Sequence, residues 1–455
     1  MKFLYLLYIF CAVFFASCSV SKQISKQADT ILLNDTAISK GHIGISIYEP
    51  ATNTYWYNYN ATKYFVPASN TKLFTLYAGM KYLGDSLVGL RYAKNDSGEY
   101  SLYPSGDPTF LHPEFNNQAV LYFLRRLNPS KWNSISIDSW KANAYGKGWA
   151  WDDYNSDYMA QRSFMPVYGN TVTFSFKNDS LIGFPYGRFD IIPSKEFDFN
   201  ELSQFSSRHK KKLPNNFSIK RMLAINGFEF IKSTRKFETL TVPFNADNYL
   251  LNAILKDTLS FPKDKDFNFF KESKAPEFNQ LQTIHSQPSD SLFKPMMHRS
   301  DNFFAEQTLL MASNEHLGYM NDEKIIDTLL KSDLKDVPQK PKWVDGSGLS
   351  RYNLFTPQSF VYILNKMKNE FGLERIKNIL PTGGTGTLSS YYKKDSSFIY
   401  AKTGTLSNNC ALSGYLITKK GKLLIFSVLV NNYQTGATPV RKAVEHFLQT
   451  IREKY

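Results

Sequence analysis

Apolar and polar residues alternate with period two from His42 to Ile47, and a Tyr/Trp-rich stretch follows from Asn53 to Tyr59. Glu49-Pro50-Ala51-Thr52-Asn53 lies between them and supplies turn residues, so the pattern predicts a β-hairpin. After Pro67 the apolar spacing becomes helical through Leu73, Phe74, Leu76, Tyr77 and Ala78, which predicts a helix opening near Ala68. The other end of the chain reads similarly. Ser397 to Ala401 is strand-like, Cys410 to Thr418 and Lys422 to Asn431 read as two apolar strands around Lys419-Lys420-Gly421, and Pro439 to Lys454 has an amphipathic helical period. The two ends are therefore expected to share one sheet. Between them, from about Ser86 to His285, short Tyr/Phe/Asn-rich strand candidates are broken by Gly, Pro and Asn without a fixed repeat, which reads as a mostly β insertion.

The first residues follow another logic. Met1-Lys2 precedes the apolar run Phe3 to Phe15 and the small residues Ala16-Ser17 before Cys18, the order of a cleaved targeting signal, and the run is too short to span a bilayer. Phe15-Ala16-Ser17-Cys18 resembles a bacterial lipobox, with Phe where Leu is usual. Cleavage before Cys18 would leave a diacylated N-terminal Cys, whereas an ordinary secretory cut nearby would leave no tether. On the first reading residues 1–17 are the signal peptide, Cys18 is the lipidation site and 18–35 form a polar tether with some helical character. Cys410 is then the sole remaining cysteine, unable to form an intrachain disulfide, and is read as a buried packing residue.

Composition narrows the class. With 455 residues, 42% hydrophobic and 21% charged, the chain is long enough for about three domains and is globular. Aromatic residues reach 15%, which fits surface grooves or simply a Tyr/Phe-rich proteome. The 54 basic residues against 40 acidic ones leave a net charge of +14, compatible with nucleic acid, an anionic membrane or an acidic polymer as partner. The densest basic run, Arg208-His209-Lys210-Lys211-Lys212, has no interleaved aromatics and reads as a solvated loop, as does Lys263-Asp264-Lys265-Asp266; no nucleic-acid partner is expected.

Candidate chemistry begins at the predicted helix opening. Ser69 and Lys72 lie three residues apart, so hydroxyl and amine share a helix face and the amine can take the hydroxyl proton if its pKa is lowered. Ser-x-x-Lys recurs at Ser19, Ser207, Ser233, Ser260, Ser291, Ser332 and Ser390, so only the context of Ser69 distinguishes it: a helix start after a hairpin, where free N–H groups favour developing negative charge. Acyl chemistry by such a pair needs a second polar cluster to relay protons and a cationic strand to hold a carboxylate. Ser300-Asp301-Asn302, at the head of a predicted helix, and Lys402-Thr403-Gly404-Thr405, closing a predicted strand, supply both in order. Gly404 is expected to leave room for a substrate backbone. Rival chemistries lack their residues. The seven His residues include no H-E-x-x-H and no pair at metal spacing, so no metal site is expected. Asp345-Gly346-Ser347-Gly348 lacks the Gly two positions before the Ser of a nucleophile elbow and reads as a turn near the site; Gly383-Gly384-Thr385-Gly386-Thr387 lacks a phosphate-cradling Lys and reads as a turn beside the third motif.

Ser69-Asn70-Thr71-Lys72, Ser300-Asp301-Asn302 and Lys402-Thr403-Gly404-Thr405 resemble the three motifs of penicillin-recognising serine enzymes. The long spacing from Lys72 to Ser300 is similar to that of class C low-molecular-mass penicillin-binding proteins, the D-alanyl-D-alanine carboxypeptidase/endopeptidase family. Ser105-Gly106-Asp107-Pro108-Thr109, Gly148-Trp149-Ala150-Trp151-Asp152-Asp153 and Val344-Asp345-Gly346-Ser347-Gly348-Leu349-Ser350-Arg351 also resemble that family; the likeness is faint from about Asn178 to Pro243. The resemblance implies an α/β (α+β) fold: an antiparallel sheet flanked by helices, with inserted, mostly β, smaller domains. The expected division is a catalytic domain from 36–85 and 286–455, inserted domain II from 86–175 and 244–285, and nested domain III from 176–243.

The resemblance further implies that Ser69 attacks a D-alanyl peptide carbonyl with Lys72 as base, forming an acyl-enzyme that water hydrolyses. Ser300, assisted by Lys402, would protonate the leaving amine, and Asn302 would bind the substrate amide. Backbone N–H groups of Ser69 and Thr405 would form the oxyanion hole, and Lys402, Thr403 and Thr405 would hold the terminal carboxylate. Asp153, with Asp152 as neighbouring rival, would face the amino group of a diaminopimelate side chain or remain an exposed loop acid. No cofactor is implied. The expected partners are peptidoglycan peptides, β-lactams as covalent inhibitors, and a membrane reached through the lipid; the expected location is the periplasm-facing cell envelope, with the outer membrane as the anchoring surface. A non-catalytic cell-wall-binding lipoprotein and a β-lactamase or esterase are the alternative functions.

Overall fold

The computed structural model describes residues 20–127, 132–177, 180–186, 189–193, 218–223, 225–231, 239–261, 270–272 and 280–455. Cys18, the signal segment, the basic run 208–212 and the loop 263–266 lie outside the described residues. Strands β1 (His42–Glu49) and β2 (Thr54–Tyr59) form the hairpin, and β14 (Ile399–Leu406), β15 (Asn409–Ile417) and β16 (Leu423–Asn431) form an antiparallel meander from the far end of the chain. They join through β1 and β16, with Ile45 opposite Val428, into one five-stranded sheet of order β14-β15-β16-β1-β2. Every neighbouring pair in it is antiparallel. The near-continuous apolar runs of β15 and β16 follow from burial on both faces.

One face of this sheet packs on helices α2 (Lys72–Tyr82), α5 (Ser289–His298), α6 (Asn302–Leu317) and α8 (Pro357–Phe371). At the centre of that core Phe74 meets Phe355, Trp343 and Phe360 at ring separations of 4.8, 5.7 and 5.8 Å, so part of the aromatic excess is packing material. The opposite face is covered by α10 (Ala437–Lys454) and by α1, residues 20–28, which continues through a π-turn at Asp29–Leu33. Ile24, Ala28 and Leu32 of that segment are fully buried, and Tyr455 Oη donates to Gln23 Oε1. From residue 20 onward the expected tether is thus a docked helix. Its apolar i, i+4, i+8 spacing was hidden among Lys, Gln and Ser, which solvate the outer face.

The insertion leaves and re-enters through paired strands, β3 (Ser86–Lys94) and β13 (Gln282–Pro288), with Ser86 opposite Pro288. Among the described residues it contains a five-stranded mixed sheet in the order β12 (Phe270–Lys271), β5 (Trp132–Ser136), β4 (Tyr100–Pro104), β3 and β13, and two three-stranded sheets. Its described residues also include helices α3 (Ala119–Arg126) and α4 (Asn248–Thr258).

Candidate active site

The helix at the first motif opens differently from the sequence expectation. Ala68–Thr71 is a 3-10 turn and the α-helix starts at Lys72. In a 3-10 turn side chains three apart eclipse, which stacks Ser69 and Lys72 directly. Ala68 enters at φ +48°, an unfavourable left-handed backbone for a residue with a Cβ, and Ser300 sits at φ +63°. Such angles at Ser300 and directly before Ser69 mark where tertiary packing overrides local preference.

Lys72 is completely buried. Its Nζ lies 3.1 Å from Ser69 Oγ and donates to Asn302 Oδ1 and to the Ser347 carbonyl, both at 2.7 Å. A neutral amine has two hydrogens and one lone pair. Once Lys72 is deprotonated, the two carbonyl-type acceptors can take both hydrogens, which leaves the lone pair for the Ser69 hydroxyl. Burial drives the pKa of Lys72 down to about 8, while Asp345, Asp301 and Glu306 oppose the fall. Ser69 itself remains partly exposed, as a nucleophile must.

A second amine-hydroxyl pair stands beside it. Lys402, also completely buried, reaches Ser300 Oγ at 2.9 Å and its own neighbour's carbonyl, Thr403 O, at 2.7 Å. Burial, then the positive charges of Lys72 and Arg441, hold its pKa well below the usual lysine value. The strand that carries Lys402 is locked to the first motif by Asn70 Nδ2, which donates to Lys402 O at 3.0 Å. Gly404 is crowded by the protein itself. A Cβ there would meet Pro67 O at 2.6 Å and Asn70 N at 3.0 Å, so the missing side chain makes room for the protein's own turn. Thr403 and Thr405 alternate onto the other face of β14, an edge strand of its sheet.

Asn302 is occupied at both ends of its amide. Its Oδ1 accepts from Lys72 and its Nδ2 donates to Tyr158 O at 3.2 Å. The second contact brings the insertion's 3-10 segment, Trp151–Asp153, toward the site, with Tyr158 Oη donating to Asp153 Oδ1 at 2.6 Å. Asp152 is exposed, and no described hydrogen bond joins it to the motif residues.

The residues behind Lys72 carry no site role in the sequence reading, which takes Asp345-Gly346-Ser347-Gly348 as a turn near the site. Glu306, one helical turn after Asn302, accepts from Ser347 N at 2.7 Å and thereby places the carbonyl that Lys72 uses. Its other oxygen faces Arg162 Nη1 at 3.3 Å, and the same nitrogen donates to Asp322 Oδ2 at 2.6 Å. Burial first, then the neighbouring Asp345, raises the pKa of Glu306 to about 7. Asp345 gathers four donors: Gly348 N, Ser350 N, Asn353 Nδ2 and Trp149 Nε1, at 2.7 to 3.0 Å. Gly348, at φ +80°, passes so close to Ala68 that a Cβ would fall 2.0 Å from its carbonyl oxygen. Ser347 Oγ is buried and accepts from Leu349 N, the environment of a structural turn. Ser105–Thr109, by contrast, is a joint: Gln307 Nε2 donates to Gly106 O at 2.7 Å, and Thr109 folds onto Asp107. Gly384 N donates to Leu388 O and Tyr391 O within a turn next to β14, which Thr382 bridges at Tyr400. Cys410 is buried and unpaired. No group of His, Cys, Asp and Glu with metal-binding geometry occurs among the described residues.

The arrangement can deprotonate a serine hydroxyl, protonate a leaving group and hold an anion along a strand edge. The sequence profile of the D-Ala-D-Ala carboxypeptidase 3 (S13) family matches residues 24–451. D-alanyl-D-alanine carboxypeptidase DacB of Haemophilus influenzae is 23% identical over 415 residues, 83% of each chain. The D-alanyl-D-alanine carboxypeptidase of Actinomadura sp. strain R39 is 24% identical over 445 residues, 90% of this chain and 81% of that one. Penicillin binding protein 4 (dacB) from Haemophilus influenzae shares the fold, with a TM-score of 0.73 at 18% identity over 94% of this chain and 99% of that one.

Proposed function

The chain belongs to the D-Ala-D-Ala carboxypeptidase 3 (S13) family, and from that premise we propose that it is a serine-type DD-carboxypeptidase of peptidoglycan stem peptides, acting through an acyl-enzyme and blocked covalently by β-lactams. The observation that carries this reading is the buried Lys72 amine, held by the Asn302 and Ser347 carbonyl oxygens with its Nζ 3.1 Å from Ser69 Oγ.

In the proposed cycle the Ser69 oxygen bonds to the carbonyl carbon of the penultimate D-Ala as its proton passes to Lys72. The Ser69 and Thr405 N–H groups are assigned to the resulting oxyanion; losing one such donor typically costs about 10²–10³ in rate. The C–N bond then breaks as Ser300, flanked by Lys402, delivers its proton to the departing D-Ala amine and takes up the proton that Lys72 received from Ser69, which makes Lys72 a base again. Water, deprotonated by the returned Lys72 base, cleaves the ester and regenerates Ser69. The substrate is proposed to lie along the edge of β14, its terminal carboxylate on Lys402, Thr403 and Thr405. For Asn302 to bind the substrate amide, its Nδ2 would exchange Tyr158 O for the substrate carbonyl. Asp153 is assigned to the amino group of a longer side chain, which would compete with Tyr158 Oη.

Mass analysis of muropeptides after incubation with the protein tests the reading. Loss of one terminal D-Ala supports it, conversion of cross-linked dimers to monomers adds endopeptidase activity, and unchanged muropeptides overturn it. The same proposal includes export to a periplasm-facing envelope with lipid on Cys18. Metabolic labelling with a fatty-acid analogue should mark the wild type and not Cys18→Ala.

A further inference from the structure

Thr405 Oγ1 has a partner that the family motifs do not include. Arg441, in the second turn of α10, donates from Nη2 to Thr405 Oγ1 at 2.6 Å and lies beside Cys410, which faces Thr405 across the β14-β15 pair. Buried Val440 and Val444 fix the helix on the sheet and hold the guanidinium at this height along the strand. Arg441 lines a small apolar recess with Thr403, so it lies over the face of β14 that carries both motif threonines. No Asp or Glu among the described residues forms an ion pair with it. The nearest acid on its own helix face, Glu445, accepts instead from the Tyr392 backbone N–H. The guanidinium is therefore a half-exposed positive charge without a carboxylate, next to hydroxyls assigned to a carboxylate.

We propose that Arg441 is a specificity-determining positioning residue for substrates that end in a free carboxylate. A hydroxyl has one hydrogen to give and accepts through its lone pairs. Because Arg441 supplies the hydrogen that Thr405 Oγ1 accepts, the Thr405 hydrogen stays free to point at an acceptor on the substrate. The remaining guanidinium hydrogens and its charge favour an anion there over a neutral amide or ester. This inference rests on the carboxypeptidase reading and adds to it the group that discriminates the terminal charge.

The test is steady-state cleavage by the full chain of an N-acylated D-Ala-D-Ala peptide and of the same peptide amidated at its C-terminus, for wild type, Arg441→Gln and Arg441→Lys. Arg441→Gln should lower kcat/KM for the free acid about 10- to 100-fold, chiefly through KM. It should leave the amidated peptide within about 2-fold, and Arg441→Lys should recover part of the loss. An equal loss on both peptides, or none on the free acid, overturns the assignment. If wild type cleaves neither peptide, the carboxypeptidase reading fails by itself. Acylation by benzylpenicillin against its carboxyl ester then makes the same comparison: selective loss for the free acid supports Arg441, and equal rates overturn it.

Discussion

Lys72 and Lys402 are two wholly buried amines, each beside a serine hydroxyl, and their surroundings differ in sign. Asp345, Asp301 and Glu306 surround Lys72 and restore part of the basicity that burial removes. Lys402 has Lys72 and Arg441 as its charged neighbours, and both push it further toward the neutral form. The same side chain in the same degree of burial thus acquires two chemistries. Lys72 is poised to gain and lose a proton in each turnover, whereas Lys402 is pushed toward the neutral form beside Ser300 and, through Asn70, anchors β14.

Removing each amine should break the comparison most strongly. Lys72→Met leaves Ser69 without a base, and acylation by a fluorescent penicillin should slow by about 10³-fold or more. Lys402→Met removes the relay partner and not the base, so the loss should be nearer 10²-fold at the same stability. Equal losses would mean that the two amines are interchangeable.

The acids behind Lys72 make a different demand. Arg162 is 2% exposed and holds both Glu306 and Asp322, so Arg162→Met would strand two buried carboxylates and should cost about 3–5 kcal/mol in urea unfolding. A subtler effect concerns pH. Below about 8 Lys72 is protonated and has no lone pair, so acylation should rise with pH through that value. Glu306 opposes the depression of the Lys72 pKa, so Glu306→Gln should move the rising limb to lower pH, by less than about one unit. A shift to higher pH would contradict the electrostatic assignment.

The hairpin, the meander and the order of the three motifs were legible because each depends on local pattern: period-two alternation, a turn between apolar runs, and polar residues at fixed short spacing. Arg162, Glu306 and Asp322 were not, because a buried ion cluster is defined by contacts across 144 and 160 positions and leaves no local signature. One signal was available for Glu306: it follows Asn302 by four residues on the same predicted helix, hence on the same face. Arg441 was hidden among the basic residues of an amphipathic helix, and α1 among the polar residues of an expected tether. Gly404 was singled out as a place of close backbone approach, and the Pro67–Asn70 turn does approach it.

The central claim is that one hydroxyl, Ser69, is activated by this pair of amine-centred clusters. Peptide mapping by mass spectrometry after reaction with benzylpenicillin tests it most directly. The expected result is a covalent adduct on the peptide containing Ser69, present in wild type and absent in Ser69→Ala. An adduct on Ser300 or Ser347 with Ser69 unmodified, or one that survives in Ser69→Ala, would contradict it.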